Sequence, residues 1–220
     1  MIRLARDKFG IHSLILARAT YSNRIRKANL NFCEVNKNTC SGNMGISRID
    51  MPVVKDLDEI IELMEEGMLD INNIPSEAEE DYLESGFGLK KNKVKAIDKK
   101  ISVKDLVATQ DELWLGKAID MAISGKGLDK PIIVSKDGYI MDGHHRWVAY
   151  LLLGAYNRKQ LEKIYKIVKK DNMEEVKGLF DDYNVSKDMK IDCVEFQLGG
   201  DRLLKVLNAY TDAKGIERNI

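Results

Sequence analysis

The chain has 220 residues, and its 35 basic and 35 acidic side chains cancel to a formal charge of zero. That balance gives no global attraction to nucleic acid or to an anionic membrane, and no run approaches the roughly 18 apolar residues of a membrane span. Cys33, Cys40 and Cys193 are an odd set without C-x-x-C spacing in a chain with three histidines, which argues against a zinc module or a disulfide framework and for a reducing cytosol.

The length admits one domain with elaborations, or one core plus an appended segment. Arg18, Arg24 and Arg26 interrupt the start without a long apolar run, so no signal peptide is expected. Charge is nevertheless uneven. Residues 1 to 27 hold Arg3, Arg6, Lys8, Arg18, Arg24, Arg26 and Lys27 against Asp7, residues 56 to 84 are strongly acidic, and Lys90-Lys91-Asn92-Lys93-Val94-Lys95 is basic again. Either these are solvated faces that neutralise one another, or the basic segments contact a polyanion such as nucleic acid.

In chain order, Leu57, Ile60, Ile61 and Met64 follow the i, i+3, i+4, i+7 template and predict an amphipathic helix over 55 to 66, with Gly67 as its stop. Ser76 with Glu79 makes a capping box for a short helix over 77 to 83. Residues 84 to 100 read as a connector with a short strand at 93 to 97. Ile101-Ser102-Val103 reads as a strand, and Leu115, Ala118, Ile119 and Ala122 as a helix ended by Gly125. Pro131-Ile132-Ile133-Val134, Lys136-Asp137-Gly138 and Tyr139-Ile140-Met141 read as strand, turn and strand. A helix then runs through Val148, Leu151 and Leu152 to a stop at Gly154. Leu161, Ile164, Tyr165 and Val168 mark another helix, Val176, Leu179 and Phe180 a shorter one, residues 190 to 196 a strand, and Leu203, Leu204, Val206 and Leu207 a last helix with Asp201 as cap.

Asp142-Gly143-His144-His145-Arg146 falls at the turn from the second hairpin strand into its helix. Asp142 is expected to cap that helix, and Gly143 to let the backbone come close to a ligand. The first-turn amides carry the positive end of the helix dipole, and two imidazoles and a guanidinium crowd the same end. Phosphate is the natural occupant of such a site. Arg146 stands out because a cation in a first helical turn is poorly placed for the dipole unless an anion is present. His144 and His145 project about 100 degrees apart and are not expected to grip one metal together. Trp147 reads as core.

The run from 130 to 155, KPIIVSKDGYIMDGHHRWVAYLLLGA, resembles the signature of the ParB/sulfiredoxin superfamily. Members place a Gly-x-x-Arg-type box at this strand-to-helix turn and hold nucleotide phosphates with it. The Asp-Gly-His-His-Arg form is most similar to free-serine kinases and to ParB-like proteins often encoded by bacteriophages. Sulfiredoxins carry a catalytic Cys where this chain has His144 or His145, so sulfinic acid reduction is not expected. Partition proteins usually carry a Glu-Arg-Arg version, from which this chain departs.

The resemblance implies an α+β fold with a small mixed sheet and packed helices. It places a ParB/sulfiredoxin-like domain at 99 to 212 with a helical insertion at about 157 to 186, after a mainly helical extension at 1 to 98 and before a tail at 213 to 220. It implies nucleotide binding, with ATP, ADP or CTP and Mg2+ as cofactors, and phosphoryl transfer or nucleotide hydrolysis; the cytoplasmic location is expected from the cysteine usage. Gly143, His144, His145, Arg146, Thr109 and Gln110 would contact the nucleotide, and Asp142 would hold the metal. Glu112, His145 and Asp142 would be catalytic. The relatives' catalytic Glu falls in the window 108 to 112. If Gln110 takes its place the carboxylate is missing, and if Glu112 does the kinase-like site is intact. The competing class is a non-catalytic ParB-like module that contacts nucleic acid through the basic N-terminal segment, or contacts another protein, and a homodimer is compatible with either. A nuclease ranks third, since no carboxylate cluster suits two-metal cleavage.

Overall fold

The computed structural model describes residues 30–66, 93–170, 172–180 and 183–218. The basic segment at 1 to 27, Gly67, the helix expected at 77 to 83 and the Lys90-Lys91-Asn92 part of the second basic run lie outside the described residues. Five strands are present, β1 (Ala96–Ser102), β2 (Val107–Ala108), β3 (Ile132–Ser135), β4 (Tyr139–Asp142) and β5 (Lys190–Phe196). Seven helices accompany them among the described residues: α1 (Phe32–Val35), α2 (Leu57–Glu66), α3 (Leu115–Ser124), α4 (His144–Ala155), α5 (Arg158–Val168), α6 (Met173–Phe180) and α7 (Gly200–Ala213).

The strands form one mixed sheet in the order β1-β5-β3-β4-β2, so the architecture is α+β. β1 pairs antiparallel with β5, β5 parallel with β3, β3 antiparallel with β4, and β4 parallel with β2. All four residues of β3 are buried, as a central strand covered on both faces requires. Successive side chains of a strand point to opposite faces. Accordingly Ile132, Val134, Ile140, Ile191 and Cys193 join one core layer with α3 to α6, while Ile133, Met141, Val194 and Phe196 join a second with α2 and α7. Among the described residues no helix is long and apolar enough to cross a membrane.

Several expectations need correction. The strands expected separately at 93 to 97 and 101 to 103 are one strand, with Ala96 opposite Phe196 and Ser102 opposite Lys190. Gly154 does not stop α4, which runs on to Ala155; a Cβ at Gly154 would lie 2.7 Å from Val185 Cγ1, so the glycine permits close packing. Asp201 does not cap α7. The N-cap is Gly199, and the Gly200 N–H donates to Asp137 Oδ2 at 3.2 Å, which ties the hairpin turn to that helix. Gly125 does end α3, in the left-handed region at φ 73°.

Cys33 and Cys40 form a disulfide, where the sequence argued against a disulfide framework. An odd count leaves one cysteine over, here buried Cys193, but does not prevent a pair between the other two. Segment 30–66 is built into the domain that the sequence begins near 99. Leu30, Phe32 and Cys40 belong to the first core layer and Met51, Ile60 and Met64 to the second.

Candidate functional site: a cationic cleft at the start of α4

β4 delivers Asp142 to the rim of a cleft of about 230 Å³, and the chain then turns through Gly143 into α4. Gly143 has φ 95°, a conformation that L side chains rarely adopt. A Cβ there would also meet Ile132 Cγ2 at 2.4 Å and Arg146 Nη2 at 2.7 Å. The groups brought close by the missing side chain are therefore the protein's own, the Ile132 side chain and the guanidinium of Arg146.

Asp142 does not cap α4, because the N-cap position falls on Gly143, where no side chain satisfies the first turn. The Asp142 carboxylate instead accepts from Arg146 Nη2 at 2.6 Å, one helical turn away. The Arg146 side chain is 13% exposed and that of Asp142 43%. Arg146 Nε is buried without a hydrogen-bond partner. A helix start without a cap, with an under-satisfied arginine beside it, is the arrangement that favours an anion.

The two histidines hold the loop between β2 and α3. His144 is buried, and its Nε2 accepts from the Thr109 N–H at 3.1 Å and from the Gln110 N–H at 3.5 Å. His145 Nε2 accepts from the Trp114 N–H at 3.1 Å. An accepting Nε2 makes each ring neutral, with its proton assigned to Nδ1. Burial and then the charge of Arg146 lower the His144 pKa to about 3. Burial, followed by Lys117, Arg48 and His144, also holds His145 well below the ordinary histidine range. Because the rings diverge on the helix, they grip two points of one loop. What either can offer a ligand is Nδ1–H.

Thr109 is fully buried and donates from Oγ1 to the Ile140 carbonyl, away from the cleft lining. Gln110 does line the cleft, and its side-chain amide donates to the Glu112 carbonyl. Glu112 is exposed and outside the lining, and its charge is felt by Arg48. Of the expected site residues, the structure brings together Gln110, Asp142, Gly143, His144, His145 and Arg146, and leaves Thr109 and Glu112 outside.

Two lining cations are absent from the sequence reading. Ile46 bridges in parallel to Gln110, its N–H donating to the Thr109 carbonyl at 3.2 Å and its own carbonyl accepting from the Asp111 N–H at 3.1 Å. A 3-10 turn, Arg48–Asp50, follows at once and places Arg48 in the cleft. Its guanidinium stacks on Trp114, with Cζ 3.8 Å from the ring centroid. Lys117, in the first turn of α3, also lines the cleft. Its pKa is lowered by partial burial first and then by Arg48, opposed by Asp142, with Arg146 adding the smallest contribution downward. Lys117 carried a usable signal, since it is a cation in a first helical turn, the feature that singled out Arg146. Arg48 carried none, because only sheet pairing brings it here.

The lining thus sets three cations, Arg48, Lys117 and Arg146, against one carboxylate, Asp142. Met51, Pro52, Val53, Met121 and Met141 form an apolar wall beside them. Asp142 is exposed enough to serve as a single carboxylate ligand for a magnesium ion that arrives with phosphates, which is how that ion is commonly held. No protein-family model, curated protein or solved structure matches this chain.

Proposed function

We propose that the cleft binds the phosphates of a nucleotide, ATP, ADP or CTP, in a domain of the ParB/sulfiredoxin type. The observation that carries this reading is the convergence of Arg48, Lys117 and Arg146 on the uncapped start of α4. Backbone N–H groups and the dipole there favour an anion, and arginine supplies donors suited to phosphate oxygens. A volume of about 230 Å³ falls below the roughly 300 to 1,000 Å³ of sites that enclose a whole small ligand. It suits the phosphate end, with the nucleoside lying toward the Met51-Pro52-Val53 wall. Magnesium, when bound at Asp142 with the phosphates, would supply charge neutralisation.

Phosphoryl transfer is the second reading, and the carboxylate available inside the cleft for it is Asp142. Transfer to serine through Glu112 is less well supported, because that side chain points to solvent outside the lining. The non-catalytic reading gains from the same placement. Thermal melts with ATP, ADP and CTP, with and without magnesium, test binding, since a ligand of the native state raises its apparent stability. No rise at millimolar nucleotide would end the proposal. Phosphate release and transfer to free serine then separate the classes. A fall of about 10² or more in turnover of Glu112→Gln would restore Glu112 as a base.

A further inference from the structure

We infer that the cleft is built for two adjacent phosphate groups, one at the start of α4 beside Arg146 and a second between Arg48 and Lys117, so that its ligand carries a diphosphate or longer chain. The inference rests on the phosphate reading above and adds which groups select the ligand. Arg146 already has a partner in Asp142, whereas neither Arg48 nor Lys117 has a carboxylate within ion-pair distance among the described residues. Arg48 Nη1 is buried and makes no hydrogen bond.

Arg48 is held in this unpaired state by three contacts in series. Its guanidinium stacks on Trp114, the Trp114 backbone N–H is anchored on His145, and the Trp114 and His145 rings lie 6.1 Å apart between centroids. A surface arginine without a partner would turn to solvent; this one is fixed against a ring at the edge of a cationic cleft. Stacking leaves the guanidinium edge free to donate while restricting its motion, which suits recognition of a planar or forked set of oxygens. Arg48 feels Glu112 and Lys117 feels Asp142 only at longer range, so a single phosphate at the start of α4 would leave both without an ion-pair partner, and a second phosphate would pair with both. Segment 30–66, which lies outside the resemblance to the ParB/sulfiredoxin box, would thereby supply the residue that reads the length of the phosphate chain.

Calorimetry with inorganic phosphate and with pyrophosphate, on the full chain without nucleotide, tests this. Wild type is expected to bind pyrophosphate at least about tenfold more tightly than phosphate. Arg48→Ala is expected to reduce that preference to within about threefold. Lys117→Ala, at an exposed position, should do the same if Arg48→Ala disturbs the fold, and Arg48→Lys should recover part of the preference. Equal affinity of wild type for the two anions, or a preference unchanged in both alanine variants, would overturn the second position while leaving a phosphate site at Arg146. Loss of phosphate binding in Arg146→Ala marks that site independently. If wild type binds neither anion nor any nucleotide, the phosphate reading and this inference fall together.

Discussion

Arg146 and Asp142 face each other across one turn of chain, Nη2 to Oδ2 at 2.6 Å, at the point where β4 becomes α4. The pair leaves Arg146 partly neutralised and its Nε without a partner, so an incoming anion competes with Asp142 for one guanidinium. Removing Arg146 should therefore weaken phosphate and nucleotide binding by roughly ten- to a hundredfold, the range of a lost charge-assisted contact of about 1.5 to 3 kcal/mol. Asp142→Asn should do the reverse in the absence of magnesium, raising affinity severalfold, because the competing charge is gone. With magnesium, the same variant should lose any metal-dependent gain. Isothermal calorimetry on the three proteins decides this, and equal affinities would remove Arg146 from the site.

Gly143→Ala should destabilise the protein by about 2 to 4 kcal/mol, combining an unfavourable φ with overpacking. The new Cβ would have to displace Ile132 Cγ2 from 2.4 Å and the Arg146 guanidinium from 2.7 Å. Chemical denaturation reads the loss. A stability within about 0.5 kcal/mol of wild type would mean that the turn relaxes without cost.

Acid should unfold the protein partly through its histidines. The folded state holds His144 neutral down to about pH 3, whereas the unfolded chain protonates it near its ordinary value of about 6.5. The folded pKa is the depressed one, so the folded state binds fewer protons in that interval. Stability is full above about pH 6.5 and is lost as pH falls from there toward 3. His145 acts in the same direction. Between pH 7.5 and 5.5 His144 alone should cost about 1.4 kcal/mol. His144→Gln retains an acceptor for the Thr109 N–H and should remove about that much of the pH dependence. Urea melts at the two pH values measure it, and an unaltered slope would show that His144 is protonated in the native state.

Reduction of the Cys33–Cys40 disulfide should lower stability by about 2 to 3 kcal/mol, the loop-closure value for partners seven residues apart. The loop precedes Arg48 and follows Asn31, whose side chain accepts from the Leu113 N–H at 3.0 Å and donates to the Asp111 carbonyl at 2.7 Å. Melting temperatures of wild type with and without reductant, beside those of a Cys33→Ser, Cys40→Ser variant, check this. The variant should match reduced wild type and ignore the reductant.

Much of the secondary structure was legible because it depends on local periodicity. Leu115, Ala118, Ile119 and Ala122 announced α3, Lys136-Asp137-Gly138 the hairpin turn, and the branched run at 190 to 196 the strand β5, and each is where the spacing put it. The Asp-Gly-His-His-Arg turn was legible for the same reason, since a strand, a glycine and a helix follow one another within a few residues. What each of its side chains does was not. Asp142 serves Arg146 because Gly143 occupies the cap position, and the imidazoles are acceptors because the loop at 109 to 114 folds back over them. The arrival of Arg48 depended on a bridge between Ile46 and Gln110, sixty-four positions apart in the chain, and the Cys33–Cys40 pair on the path of the chain around α1. Periodicity records which face of an element is buried and says nothing about which distant element covers it. The apolar faces and the turn were therefore written in the sequence, and the convergence of three cations on one helix start was decided only by tertiary packing.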